Sequence, residues 1–143
     1  MPVQVMIVDD SASSRTLIRH HLEGLGCKVV AEAENACEAL RLYDVLAGLE
    51  AQRPNFVTLD LVMQHVDGVD ALTAFRELRR KDPSIPILII SAIPFEKTRQ
   101  TFINEGALDY LIKPFNRFHL GQIRIKLERL FPDLKFPQSR RPG

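Results

Sequence analysis

The chain has 143 residues, of which 45% are hydrophobic and 26% charged, and its formal net charge is +1. One ordinary domain with a packed core fits that length and composition; a disordered, collagen-like or membrane-spanning chain does not. Charge is uneven: residues 1–94 carry 9 Lys and Arg against 13 Asp and Glu, and residues 95–143 carry 10 against 5.

Short apolar runs alternate with longer amphipathic segments. Val3-Gln4-Val5-Met6-Ile7-Val8 reads as strand one and ends at Asp9-Asp10. A helix follows from about Ser13, with Ile18, Leu22 and Leu25 inward, and Gly26 stops it. Cys27-Lys28-Val29-Val30-Ala31 is strand two. Asn35 is the expected N-cap of helix two, with Glu38 in a capping-box position. That helix carries Ala36, Ala39, Leu40, Tyr43 and Ala47 on one face and stops before Pro54. Phe56-Val57-Thr58-Leu59 is strand three and runs into Asp60. Helix three, from about Gly68, turns Val69, Leu72, Phe75 and Leu78 inward, and Pro83 closes it.

Ile85-Pro86-Ile87-Leu88-Ile89-Ile90 is strand four and ends at Ser91. Pro94 suits the first turn of helix four, which runs to about Gly106. Asp109-Tyr110-Leu111-Ile112 is strand five, ending at Lys113-Pro114. The last helix runs from about Asn116 to Phe131, with Leu120, Ile123, Leu127 and Leu130 as its core stripe. Phe118 and Ile125 fall on a different stripe among Arg117, Gln122, Arg124 and Arg129, which makes them a candidate binding patch. Residues 1–131 are thus one domain, and 132–143 a flexible, loosely held tail. Five strands, each followed by a helix, predict an α/β fold: a flavodoxin-like doubly wound parallel sheet of order 2-1-3-4-5, helices on both faces.

In such sheets ligands bind beyond the carboxyl ends of the strands, near the point where the strand order reverses. Asp9 and Asp10 end strand one, Asp60 strand three, Ser91 strand four and Lys113 strand five. Strands one and three are neighbours in this order, so three carboxylates gather with a hydroxyl and an ammonium on the rim. Close carboxylates repel and call for a cation, and Mg²⁺ is the hard ion that takes carboxylates and phosphate oxygens together. Lys113 is a point charge for an incoming anion and Ser91 a hydrogen-bond donor to it. The set suits phosphoryl transfer to a carboxylate.

This layout resembles the receiver domain of two-component response regulators. The resemblance covers about residues 3–131 and rests on Asp9-Asp10, Asp60, the loop Met63-Gln64-His65-Val66-Asp67-Gly68, Ser91-Ala92 and Lys113-Pro114-Phe115, in that order. It implies that Asp60 is the phosphoacceptor. Asp9, Asp10 and the backbone carbonyl of Val62 would hold Mg²⁺ with it. Ser91 and Lys113 would engage the phosphoryl group, and the Lys113–Pro114 bond would be cis. Ser91 and Tyr110 would form the switch, Tyr110 rotating inward on phosphorylation. The implied partners are a histidine kinase or phosphotransfer protein and, through the face of helix four, strand five and helix five, a downstream target or a second copy. The chain departs from the family pattern at Gln64 and Val66, and its helix two is several residues longer than usual. No output domain follows residue 131, so the chain is either a stand-alone receiver or a fragment.

Two other readings compete. A small Mg²⁺-dependent aspartyl phosphatase would need a second acid two residues after its nucleophile, where Val62 stands and cannot exchange protons. A phosphorylation-independent adaptor would not need the intact acidic set. Not being an enzyme, a receiver is expected to show only weak self-dephosphorylation. Val62 and Ile93, two residues beyond Asp60 and Ser91, would flank the attacking water and slow it. His20, His21, His65 and His119 lack ligand spacing, and Cys27 and Cys37 are too few for a disulfide framework. Met1-Pro2-Val3-Gln4 is not a secretory signal, so the chain reads as cytoplasmic. Arg140-Arg141 belongs to no DNA-reading module, and no nucleic-acid or membrane partner is expected.

Overall fold

The computed structural model describes residues 1–64 and 66–137; His65 and residues 138–143, with Arg140-Arg141, lie outside the described residues. Ten main elements alternate: β1 Gln4–Val8, α1 Ala12–Gly24, β2 Lys28–Ala33, α2 Ala36–Leu46, β3 Phe56–Leu59, α3 Ala71–Lys81, β4 Ile87–Ser91, α4 Glu96–Asn104, β5 Asp109–Ile112 and α5 Arg117–Leu130. The five strands form one parallel sheet in the order β2-β1-β3-β4-β5, as expected.

Every residue of β1, β3 and β4 is buried, because helices cover both faces of the central strands. Alternate side chains enter two cores. Met6, Val57, Leu59 and Ile89 meet Tyr43 of α2, Phe75 of α3 and Phe102 of α4. Val5, Ile7, Phe56 and Leu88 meet Ile18 and Leu22 of α1 and Leu120, Ile123 and Leu127 of α5. Cys27 sits in this second core, and burial pushes its thiol up to about 12. Cys37 is half-buried.

Helix starts follow the capping residues. Ser11, Asn35, Asp70 and Asn116 each accept the backbone N–H of the third residue on. Three boundaries differ from the sequence reading. Helix α3 begins at Ala71, not near Gly68, because Asp67 and Gly68 turn through the left-handed region (φ 53° and 72°) and Asp70 caps the helix. The long second helix is instead α2 ending at Leu46 and, past Gly48, a separate 3-10 turn Glu50–Gln52. Glycine is a poor helix residue, and the run of buried positions stops at Leu46. Pro94 precedes α4 rather than opening it, with Phe95 at the N-cap.

The end of the chain also differs. Leu130 is exposed, not core, because Pro132 turns the chain back and Phe131 and Leu134 fill that end of the second core. Residues 132–137, read from sequence as a loose tail, lie against the domain. The Lys135 N–H donates to the Met1 carbonyl (2.7 Å), and the Arg124 guanidinium stacks 5.0 Å from the Phe136 ring centroid. Pro137 covers Gly26, whose φ of 96° and lack of a Cβ both matter: a Cβ there would run into the Pro137 ring. Phe136 therefore covers Arg124 rather than Phe118 and Ile125, both of which stay exposed. Among the described residues no helix is long and apolar enough to cross a membrane.

Candidate functional site

Strand pairing brings the acidic residues together. Val8 lies opposite Leu59 in the parallel ladder, so the next residues, Asp9 and Asp60, leave the sheet side by side. The ladder extends one residue past each strand: the Asp9 N–H donates to Ala33 O (3.0 Å) and the Asp60 N–H to Val8 O (2.9 Å). Both side chains are buried at the sheet edge, Asp9 fully and Asp60 with 5% exposed, while Asp10 faces solvent. One carboxylate oxygen from each of the three lies within 4.8 Å of the others.

Lys113 reaches across from the end of β5. Its Nζ donates to Asp9 Oδ2 (2.7 Å) and to Asp60 Oδ2 (2.9 Å). Burial opposes the ammonium charge, but the bonds to Asp9 and Asp60 outweigh it and hold the pKa above the ordinary lysine value. Three carboxylates face a single ammonium, an imbalance of formal charge. A divalent hard cation fits that donor set in charge and in ligand type.

The remaining residues tie the flanking loops to this centre. The Val62 N–H donates to Asp60 Oδ1 (3.1 Å), and Val62 is 54% exposed. Ser91 is fully buried; its Oγ accepts the Ile93 N–H (3.3 Å) and its carbonyl accepts the Lys113 N–H (2.9 Å). The Lys113–Pro114 peptide is cis. Tyr110 is 6% exposed, and its hydroxyl donates to Ile93 O (2.7 Å). Burial pushes its phenol above the ordinary range. The ring lies inward in this conformation.

Two participants escape the sequence reading. Ser14 Oγ donates to Asp9 Oδ2 (2.6 Å), and Arg15 Nη1 donates to the Asp9 carbonyl (2.7 Å) while pairing with Glu32 (3.3 Å). Their signal is the polar run Ser11-Ala12-Ser13-Ser14-Arg15 directly after the acidic pair. By pattern alone it reads as a helix start.

The family model for the response regulator receiver domain matches residues 5–124. The chain is 36% identical over 113 residues to the chemotaxis protein CheY of Listeria monocytogenes, covering 79% of this chain and 87% of that one. It is 35% identical over 115 residues to CheY of Bacillus subtilis, with 80% and 88% covered. Among solved structures, the CheX–CheY–BeF₃–Mg²⁺ complex of Borrelia burgdorferi shares the fold at a TM-score of 0.76 and 24% identity, over 89% of this chain and 90% of that one. A family model that spans most of the chain, and relatives matched over most of their own length, agree with the carboxyl-edge site: the chain belongs to the CheY-like receiver domain family of two-component response regulators.

Proposed function

We propose that this chain takes a phosphoryl group onto Asp60 from a histidine kinase or a histidine phosphotransfer protein, and passes the event to a partner through the face of α4, β5 and α5. The observation that carries the reading is the position of Asp60. It is buried beside Asp9 and held by Lys113 at the carboxyl edge of the sheet.

In the transfer, an Asp60 carboxylate oxygen forms a bond to phosphorus. The phosphorus–nitrogen bond to the donor histidine breaks, and its electron pair leaves with the imidazole. Asp9, Asp10, Asp60 and the Val62 carbonyl would hold Mg²⁺, which when bound neutralises charge on the phosphoryl oxygens. The Val62 N–H keeps the Asp60 carboxylate oriented. Lys113 shifts its ammonium toward the arriving anion, and Ser91 donates its hydroxyl to it.

Ile93 is the joint through which the event leaves the site. Its N–H holds Ser91 Oγ and its carbonyl holds the Tyr110 hydroxyl. When Ser91 turns to the phosphoryl group, the loop between β4 and α4 is pulled at one end while Tyr110 anchors the other. That loop leads into α4. The face beside it exposes Phe95, Ile112, Phe118 and Ile125, apolar groups set among Arg117, Lys126 and Arg129, which suits an apolar or acidic partner surface or a second copy.

The test is intact mass spectrometry after incubation with Mg²⁺ and acetyl phosphate. One phosphoryl group should be gained by the parent, and none by Asp60→Asn or in excess EDTA. Equal gain in Asp60→Asn, or no gain in the parent, refutes the assignment.

A further inference from the structure

The Asp9 carboxylate is held from two sides. Oδ1 accepts the Ser11 N–H (2.9 Å), while Oδ2 accepts both Ser14 Oγ (2.6 Å) and Lys113 Nζ (2.7 Å). Of these donors Lys113 is the one an incoming anion can withdraw. It is shared with Asp60, its side chain is 23% exposed, and it borders an open cleft of about 430 Å³ together with Ser14, Leu17 and Phe115. An anion arriving at Asp60 competes for the same ammonium. Once Lys113 leaves, Ser11 alone would be a single pivot, about which the carboxylate plane can turn. Ser14 on the opposite oxygen removes that freedom.

We propose that Ser14 is a positioning residue: its hydroxyl keeps the Asp9 carboxylate in its metal-holding orientation when Lys113 is drawn to the phosphoryl group. This rests on the reading of Asp9 as a Mg²⁺ ligand given above. Partners outside the ligand set fix the orientation of metal-binding side chains, and losing one weakens metal binding. The hydroxyl is separable from the helix start. Ser11 Oγ caps α1 by accepting the backbone N–H of Ser14, which any residue at position 14 keeps. The carboxylate bond is the separate contribution of the Ser14 side chain.

The experiment titrates MgCl₂ alone into the full chain and follows backbone amides by NMR, with thermal melts in EDTA alongside. It is run on the chain as it stands and with Lys113→Met, which withdraws the ammonium from Asp9 Oδ2 as the phosphoryl group would. The Ser14 comparisons that decide the inference are those made with Lys113→Met. Ser14→Ala should bind Mg²⁺ about ten-fold more weakly, the low end for loss of such an outer bond. Ser14→Thr, which keeps a hydroxyl, should restore parent affinity. Thr16→Ala, which removes a hydroxyl that donates to the Ala12 carbonyl one helix turn back, should leave it unchanged. If the parent itself fails to bind Mg²⁺, the metal reading falls, and this inference with it. If the parent binds and Ser14→Ala binds equally well or better, only this inference falls. A lower melting temperature for Ser14→Ala with unchanged Mg²⁺ affinity also overturns it, since the role is then structural. So does equal weakening in Ser14→Thr.

Discussion

Lys113→Met removes the ammonium that bridges Asp9 and Asp60. At 2.7 and 2.9 Å, each contact is worth roughly 6 kcal/mol of gross Coulomb attraction at an effective dielectric constant of about 20. Desolvation offsets much of that. Removing one partner of a buried pair typically costs about 3–5 kcal/mol, because the other charge stays buried. Solvent reaches the lysine side chain (23% exposed), whereas the carboxylates are at 1% and 6%, so the low end applies, about 3 kcal/mol. Asp9 still keeps Ser11 and Ser14, and Asp60 keeps the Val62 N–H. For 143 residues, at about 2.1 cal/mol/K each, the unfolding entropy is about 0.3 kcal/mol/K, and Tm should fall by about 10 °C.

Mg²⁺ supplies the second arm. Without Lys113 the cluster carries three uncompensated carboxylates instead of two, so the variant should bind Mg²⁺ more tightly than the parent. The same Mg²⁺ concentration should then raise its Tm further. The assay is scanning calorimetry of both proteins in EDTA and in Mg²⁺. A fall of less than about 2 °C in EDTA, or no greater rescue by Mg²⁺ than in the parent, would refute the electrostatic argument. The pH dependence has a definite sign. The folded pKa of Lys113 is raised, so its stabilisation is fully present below the ordinary lysine value, about 10.4, and is lost as pH rises through the raised value. The Tm gap between parent and variant should therefore stay level through neutral pH and close in strong alkali.

Two further outcomes are expected. Val62 and Ile93 both sit on loops tied by their N–H groups to Asp60 and Ser91, and neither side chain can orient a water. Val62→Asn and Ile93→Glu should each speed single-turnover loss of the Asp60 phosphoryl group by more than about three-fold, the double variant fastest, because orienting the water lowers the barrier; unchanged or slower decay in all three sinks that idea. Leu134→Ala should cost about 2 kcal/mol in urea unfolding, the low end for a buried leucine near the surface, while phosphorylation of Asp60 is retained. A loss below about 0.5 kcal/mol would mean that residues 132–137 do not dock in solution.

The alternation of apolar runs and amphipathic segments was enough to order five strands and five helices, because backbone periodicity is a local property. Handedness and strand-order rules then placed Asp9, Asp10, Asp60, Ser91 and Lys113 at one edge. Boundaries were less legible where a short-range detail decides them, as at Asp67-Gly68 before α3 and Gly48 after α2. What the sequence could not carry is pairing between side chains far apart in the chain. Lys113 meets Asp9 across 104 positions, and Tyr110 meets Ile93 across 17. No period in the sequence says which of these groups bond to one another. Ser14 read as part of a helix start because its partner lies on the turn before it, outside any helical repeat. Leu130 kept the core spacing of α5 yet faces solvent, since Phe131 and Leu134 reach that space first once the chain turns at Pro132. Spacing determines which side of a helix a residue occupies; which atoms fill the space opposite is decided only when distant segments pack against each other.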